Sequence, residues 1–148
     1  MKKFRFSLEK LKEYREQTLD TEKNTLGIMR RELAIMYEEL ETLYQLIEIK
    51  NGELLRSMQE GTTPVEITTK RRFISLKQQD VALQKAKIDQ QQKIIENQLE
   101  LVVEKTKEVK TLEKLKENQL EEYKAAEQKE HELFIDEFIT NSSHHKGV

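Results

Sequence analysis

His131, His144 and His145 are the three imidazoles available to this 148-residue chain, and cysteine is absent. A metal site needs three or four converging N, S or O donors, and a general base needs a proton within reach. His144 and His145 adjoin each other near the C-terminus; such a pair alone holds a metal weakly. His131 lies one helical turn from Glu127, the spacing of ordinary polar helix surface. The serines have no histidine partner and there is no Gly-rich phosphate loop. Carboxylates are plentiful, but they alternate with lysines at helical spacing, as among Glu104, Lys107, Glu108 and Lys110. No catalytic, cofactor-binding or metal site is expected, and the chain reads as a non-enzyme. A nucleic-acid reader needs clustered positive charge interleaved with aromatics. Arg71-Arg72-Phe73 is one such triplet, and the net charge is −2, so no nucleic-acid partner is expected.

What chemistry remains is surface recognition, and the elements that present it follow from composition. Charged residues make up 36% of the chain, and hydrophobic residues no more than that. With no Trp, one Pro and four Gly, the chain has neither the apolar volume nor the turn residues of a globular domain. Glu, Lys, Leu and Gln favour long solvated helices. Met1-Lys2-Lys3 precedes Phe4-Arg5-Phe6 with no apolar leader, and no stretch approaches the ~18 apolar residues of a membrane span. The expectation is a cytoplasmic protein.

One punctuation mark organises the chain: Glu60-Gly61-Thr62-Thr63-Pro64-Val65-Glu66. Gly61 can take the left-handed conformation that ends a helix. Thr63 can cap the next helix, with Pro64 in its first position and Glu66 completing a capping box. Ser7 can cap the first helix, with Phe6 stapling to Leu11. The reading is all-α: a single coiled-coil domain over 1–141, with helix 1 at about 7–60, a turn at 61–63 and a longer helix 2 at about 64–140. Residues 142–148 read as a disordered tail.

The hydrophobic period is seven. Leu19, Leu26, Leu33, Leu40, Ile47 and Leu54 form one unbroken series, with Met29, Met36 and Leu43 three residues after its members. Ile67, Ile74, Val81, Ile88, Ile95, Val102 and Val109 form the other. A strict heptad keeps one seam facing a partner helix. Companion positions in helix 2 are Lys70, Lys77, Gln84, Gln91, Gln98 and Lys105, which make its seam narrow and a poor self-dimer. An intramolecular, antiparallel pair follows, monomeric on its own, with residue i opposite roughly residue 124 − i. Helix 2 then outruns helix 1 by ~24 residues, roughly 35 Å.

The ends are unmatched. Leu120, Tyr123, Leu133, Phe134, Ile135, Phe138 and Ile139 lie in the extension, with Phe4, Phe6 and Leu8 nearby. The N-terminal phenylalanines fold over this surface, or it binds a partner, or both hold. From Glu121 to Glu137 there are seven acids against Lys124 and Lys129. Between Ile67 and Lys93 there are seven basic residues and two acids. That basic run is a solvated face, or it meets an acidic protein or an anionic membrane surface. Phe73 and Leu76, beside the turn, are candidates for partner contact, whereas broad helix packing accounts for Leu83.

The start, Phe4-Arg5-Phe6-Ser7-Leu8-Glu9-Lys10-Leu11 with Arg15, resembles the F-x-F-x-L-E-x-L opening of the FliJ family of the bacterial flagellar export apparatus. Lys114-Leu115-Lys116-Glu117, then Tyr123, then Asp136-Glu137, resembles that family's second block. The resemblance implies a protein of flagellum biogenesis and type III protein export, similar in shape to the stalk of rotary ATPases. It implies three partners: the hexameric export ATPase, the membrane export gate and export chaperones. It also implies a peripheral location at the inner face of the cell membrane. Carried onto this chain, the ATPase end holds Phe4, Phe6, Leu8, Arg15, Tyr123, Phe134, Asp136 and Glu137. The turn end, with Arg71, Arg72, Phe73 and Leu76, is left for the gate or a chaperone. With the uneven helix lengths and the charge asymmetry between the ends, the expected mechanism is a rigid lever whose single asymmetric base biases nucleotide steps around a ring of six subunits. The rival expectations are a self-associating coiled-coil scaffold, a holdase chaperone for unfolded exports, and the related stalk protein of a virulence-type secretion system.

Overall fold

A computed structural model describes residues 2–146, with the side chains of residues 2–143. α1 spans Glu9–Glu60 and α2 spans Pro64–Lys146. No strand occurs among the described residues. The fold is an all-α antiparallel hairpin whose second helix is the longer.

Gly61 carries the hinge. Its φ is 90°, and it is the one positive φ among the described residues. No atom would touch a side chain added there, so the objection to any other residue is the backbone conformation itself. Gly61→Ala is expected to cost about 1–2 kcal/mol, read as a lower urea midpoint with an unchanged slope. Beyond it, the Glu66 N–H donates to the Thr63 hydroxyl at 3.3 Å, and the Ile67 N–H donates to the Thr63 carbonyl at 3.2 Å. Thr63 is therefore the cap and Pro64 the first helical residue. The Glu66 carboxylate accepts from the Thr62 hydroxyl, so half of the expected capping box forms.

Both outer helix ends differ from expectation. Ser7 and Leu8 form a turn, closed by the Glu9 N–H on the Phe6 carbonyl at 3.2 Å. The Lys12 N–H donates to the Leu8 carbonyl at 2.8 Å, which puts Leu8, not Ser7, at the cap position. Burial of Phe6 sets where the chain can turn into the helix. α2 runs on to Lys146, past the expected end near Thr140. Asn141-Ser142-Ser143-His144-His145-Lys146 contains no Gly or Pro, and extending a formed helix adds one backbone bond per residue. Of the expected tail, Gly147 and Val148 lie outside the described residues, as do the side chains of His144 and His145.

By packing, the helix pair falls into two units, Thr21–Val102 and Met1–Asp20 with Val103–Val148. Each is a stretch of antiparallel helix pair. In the first, Leu26, Ile74, Val81, Ile88 and Val102 are buried; in the second, Phe6, Leu19 and Val109 are. These helix-2 residues belong to the seven-residue series. Two cylinders share one line of contact and have no third layer, so no large side chain among those described is wholly enclosed.

The seam also contains polar groups. Gln84, Gln91 and Gln98 are buried at successive seven-residue steps. Their side-chain Nε2 groups donate across the seam to α1 backbone carbonyls: Gln84 to Met36 at 2.9 Å, Gln91 to Met29 at 3.0 Å and Gln98 to Glu22 at 3.0 Å. Each also donates to a carboxylate, of Glu39 at 3.0 Å, Glu32 at 3.3 Å and Glu22 at 2.6 Å respectively. A buried amide is tolerated only when its hydrogen-bonding groups are met, and these bonds meet both donors of each amide. Together with Lys70 on Ser57 at 2.6 Å, they set the pairing close to the expected 124 − i register.

Candidate partner-binding site

The N-terminal segment is a strap laid on α2. Phe4 stacks at a tilt on Tyr123, with ring centroids 5.6 Å apart and 53° between planes. The Tyr123 hydroxyl donates to the Lys2 carbonyl. Burial, with the Glu127 carboxylate adding to it, holds the Tyr123 phenol above its ordinary pKa. Phe6 is 7% exposed. It therefore belongs to the core of this unit. Leu8 and Phe4 are half-buried. Of the two alternatives left open for these residues, cover is what the geometry displays near Tyr123.

Ion pairs fasten the same unit. Lys116 reaches Glu9 at 2.8 Å, and Arg15 reaches Glu108 at 3.3 Å, with Lys105 on Glu108 at 3.5 Å. The Lys116 hydrogen bond is the main reason the Glu9 carboxyl sits below its ordinary pKa. The sign follows: with the folded value depressed, the pair's contribution is present above the ordinary Glu value and lost as pH falls through the folded one. Acidification below about pH 4 is expected to loosen the strap. Amide exchange at residues 2–9 reads this, and Glu9→Gln is expected to abolish the acid step.

Past Tyr123 the cover ends. Every residue from Lys124 to Asn141 is exposed. Phe134 and Phe138 are 66% and 67% exposed, and Ile135 and Ile139 stand beside them on the same side of the helix, at i,i+4 spacing. Asp136 and Glu137 are exposed. The expected site thus splits: Phe4, Phe6, Leu8, Arg15 and Tyr123 pack with one another or with α2, while Phe134, Asp136 and Glu137 stand in solvent.

Near the turn, Phe73 is half-buried between two ammonium groups, Lys50 at 5.3 Å and Lys77 at 5.4 Å from its ring centroid. Such contacts hold a ring in place while leaving an edge accessible. Arg71 and Arg72 are exposed and Leu76 is 51% exposed. Leu83 departs from expectation. It is 64% exposed, because its heptad position faces away from α1. Among the described residues, no cluster of three or more His, Asp or Glu side chains is placed to hold a metal.

The strap brings into contact two sequence blocks that lie far apart along the chain, around Phe4–Arg15 and around Lys116–Tyr123. A family model described as the flagellar FliJ protein matches residues 4–147. The chain belongs to the FliJ family. It is a component of the flagellar export apparatus, and the FliJ family is structural, not enzymatic. No curated protein and no solved structure matches it. Among the described residues of this FliJ chain, no helix is long and apolar enough to cross a membrane. Sequence reasoning missed the Glu9–Lys116 pair and the Lys2 carbonyl as the strap's anchors. Lys116 lies inside the block that carried the family resemblance, which was the signal available. A backbone carbonyl leaves no trace in residue types.

Proposed function

We propose that this FliJ protein is a stalk-like element that binds the hexameric export ATPase through its terminal unit and meets the membrane export gate or export chaperones through its turn end. It would work at the cytoplasmic face of the membrane. The observation that carries this is the bare stripe of Phe134, Ile135, Phe138 and Ile139 on the uncovered part of α2. A soluble helix with such a stripe is stabilised when a partner covers it. The acids around the stripe favour a basic receiving surface. At the turn end, Phe73, Leu76, Arg71 and Arg72 offer an apolar patch with a basic border for a second partner. A single asymmetric helix pair cannot touch six identical subunits equally, so its binding would bias the nucleotide cycle around the ring.

The test is the ATPase rate of the hexamer with and without the chain. Stimulation is expected. Phe134→Asp with Phe138→Asp should lower apparent affinity by about thirtyfold, the scale of losing anchor residues worth ~2 kcal/mol. Absence of stimulation by the unaltered protein, or equal potency of the double variant, sinks the reading. A holdase would instead protect unfolded exports from aggregation with no ATPase present.

A further inference from the structure

Two apolar strips on α2 have no cover within their own units. One is the stripe of Phe134 and Phe138. The other is Leu76 and Leu83, seven residues apart and both more than half exposed. We propose that the two strips cover each other between copies of the chain, the acidic end of α2 in one molecule packing head-to-tail on the basic Leu76–Leu83 strip of a second.

Charge selects this occupant. On α2, the segment Glu121–Glu137 carries seven acids and two lysines, whereas Ile67–Lys93 carries seven basic residues and two acids; α1 adds Glu39 beside Leu83, a carboxylate already accepting from Gln84 at 3.0 Å. Opposite fields of this kind raise encounter rates and fix orientation. Asp80, which lies between the leucines, is already paired with Lys77 at 3.4 Å, so it offers little repulsion to an incoming carboxylate. The alternative self-contact, stripe against stripe, would bring two acidic helices together and is disfavoured by the same charges. The seam offers no other route, since the glutamine bonds already occupy it from within one molecule.

Both strips are short: Leu76 and Leu83 are two turns apart, ~10 Å along the helix, and Phe134 and Phe138 one turn, ~6 Å. Two anchor side chains on each face fall well short of the ~20–30 residues a side of a stable interface, so the association is weak and concentration-dependent. Because each molecule offers two different strips, a single contact leaves one strip free on each partner, from which association can continue beyond a pair. Such assembly would hide Phe134 and Phe138 when the protein is concentrated. That consequence rests on the ATPase reading; the self-association does not.

Sedimentation velocity of the isolated full-length chain tests it. At low salt the weight-average mass is expected to climb from 17.6 kDa through and beyond twice that value as concentration rises. Salt that shortens the screening length should weaken the association several-fold. Phe134→Asp/Phe138→Asp and Leu76→Asp/Leu83→Asp should each remain monomeric alone, yet form a one-to-one dimer when mixed. All four side chains are more than half exposed, so helix content should be unchanged by circular dichroism. A monomer at every concentration overturns the proposal. So does a phenylalanine variant that loses association while the leucine variant keeps it, which would mean stripe-on-stripe pairing. Failure of these experiments leaves ATPase stimulation untouched, so the two ideas fall separately.

Discussion

Replacing Ile88 with alanine is expected to destabilise the Thr21–Val102 unit by about 2–3 kcal/mol, the low end of the range for buried aliphatic truncations. Ile88 is the most enclosed apolar side chain of the seam. It sits midway along the helix-2 series and directly between two of the bonded glutamines, Gln84 and Gln91. The low end applies because a helix pair is open at its flanks, so neighbouring side chains can close part of the cavity. The natural control is Leu83→Ala, whose side chain faces solvent and whose loss should stay within about 0.5 kcal/mol. Urea unfolding followed by circular dichroism reads both. If the two variants shift the midpoint equally, the seam is wrongly placed on α2.

Changing Gln84, Gln91 and Gln98 together to leucine is expected to raise the melting temperature and to cost the chain its specificity. Each glutamine contributes hydrogen bonds worth ~1–1.5 kcal/mol net, whereas a buried leucine contributes ~1.5–3 kcal/mol. The balance favours leucine in stability alone. What leucine cannot supply is direction: an amide that must find the Met36, Met29 or Glu22 carbonyl rejects a shifted register, and an aliphatic seam accepts several. The triple variant should therefore populate dimers through its seam, insensitive to salt, unlike the head-to-tail contact of the native chain. A single Gln91→Ala change should do the opposite and lower stability by about 1–2 kcal/mol without altering mass. A triple variant that stays monomeric, with α1 and α2 in unchanged register by spin-label distances, would remove the specifying role.

The expected register was close, and the reason is local. Gly61, Thr63 and Pro64 each demand one backbone state, and together they leave the chain a single way to reverse. Once it reverses, a seven-residue period has one face to offer, so burial of Leu26, Ile74, Val81 and Ile88 follows from spacing alone. The polar companions were misread for the same reason. Pattern marks Gln84, Gln91 and Gln98 as hydrophilic and hence as the edge of a narrow seam. Their burial depends on carbonyls and carboxylates 45 to 76 residues away. No window of sequence contains both partners.

The candidate site divides along the same line. Phe134 reads as exposed because it lies on a stretch of helix 2 for which helix 1 has no counterpart, a matter of counting residues. Phe4, Phe6 and Tyr123 are equally aromatic and equally near the chain ends, yet they pack together. Whether a phenylalanine covers or waits for cover is settled by which other groups reach it in three dimensions.

For this protein, residue order by itself determined two helices, their reversal, their seam and the surplus length of the second, because backbone preference and hydrophobic period act over short range. Tertiary structure alone decided that the N-terminal strap lies on Tyr123 and that three amides join the seam. Those outcomes depend on pairing groups from distant parts of the chain, and the energy of such a pair exists only once folding has brought both members together.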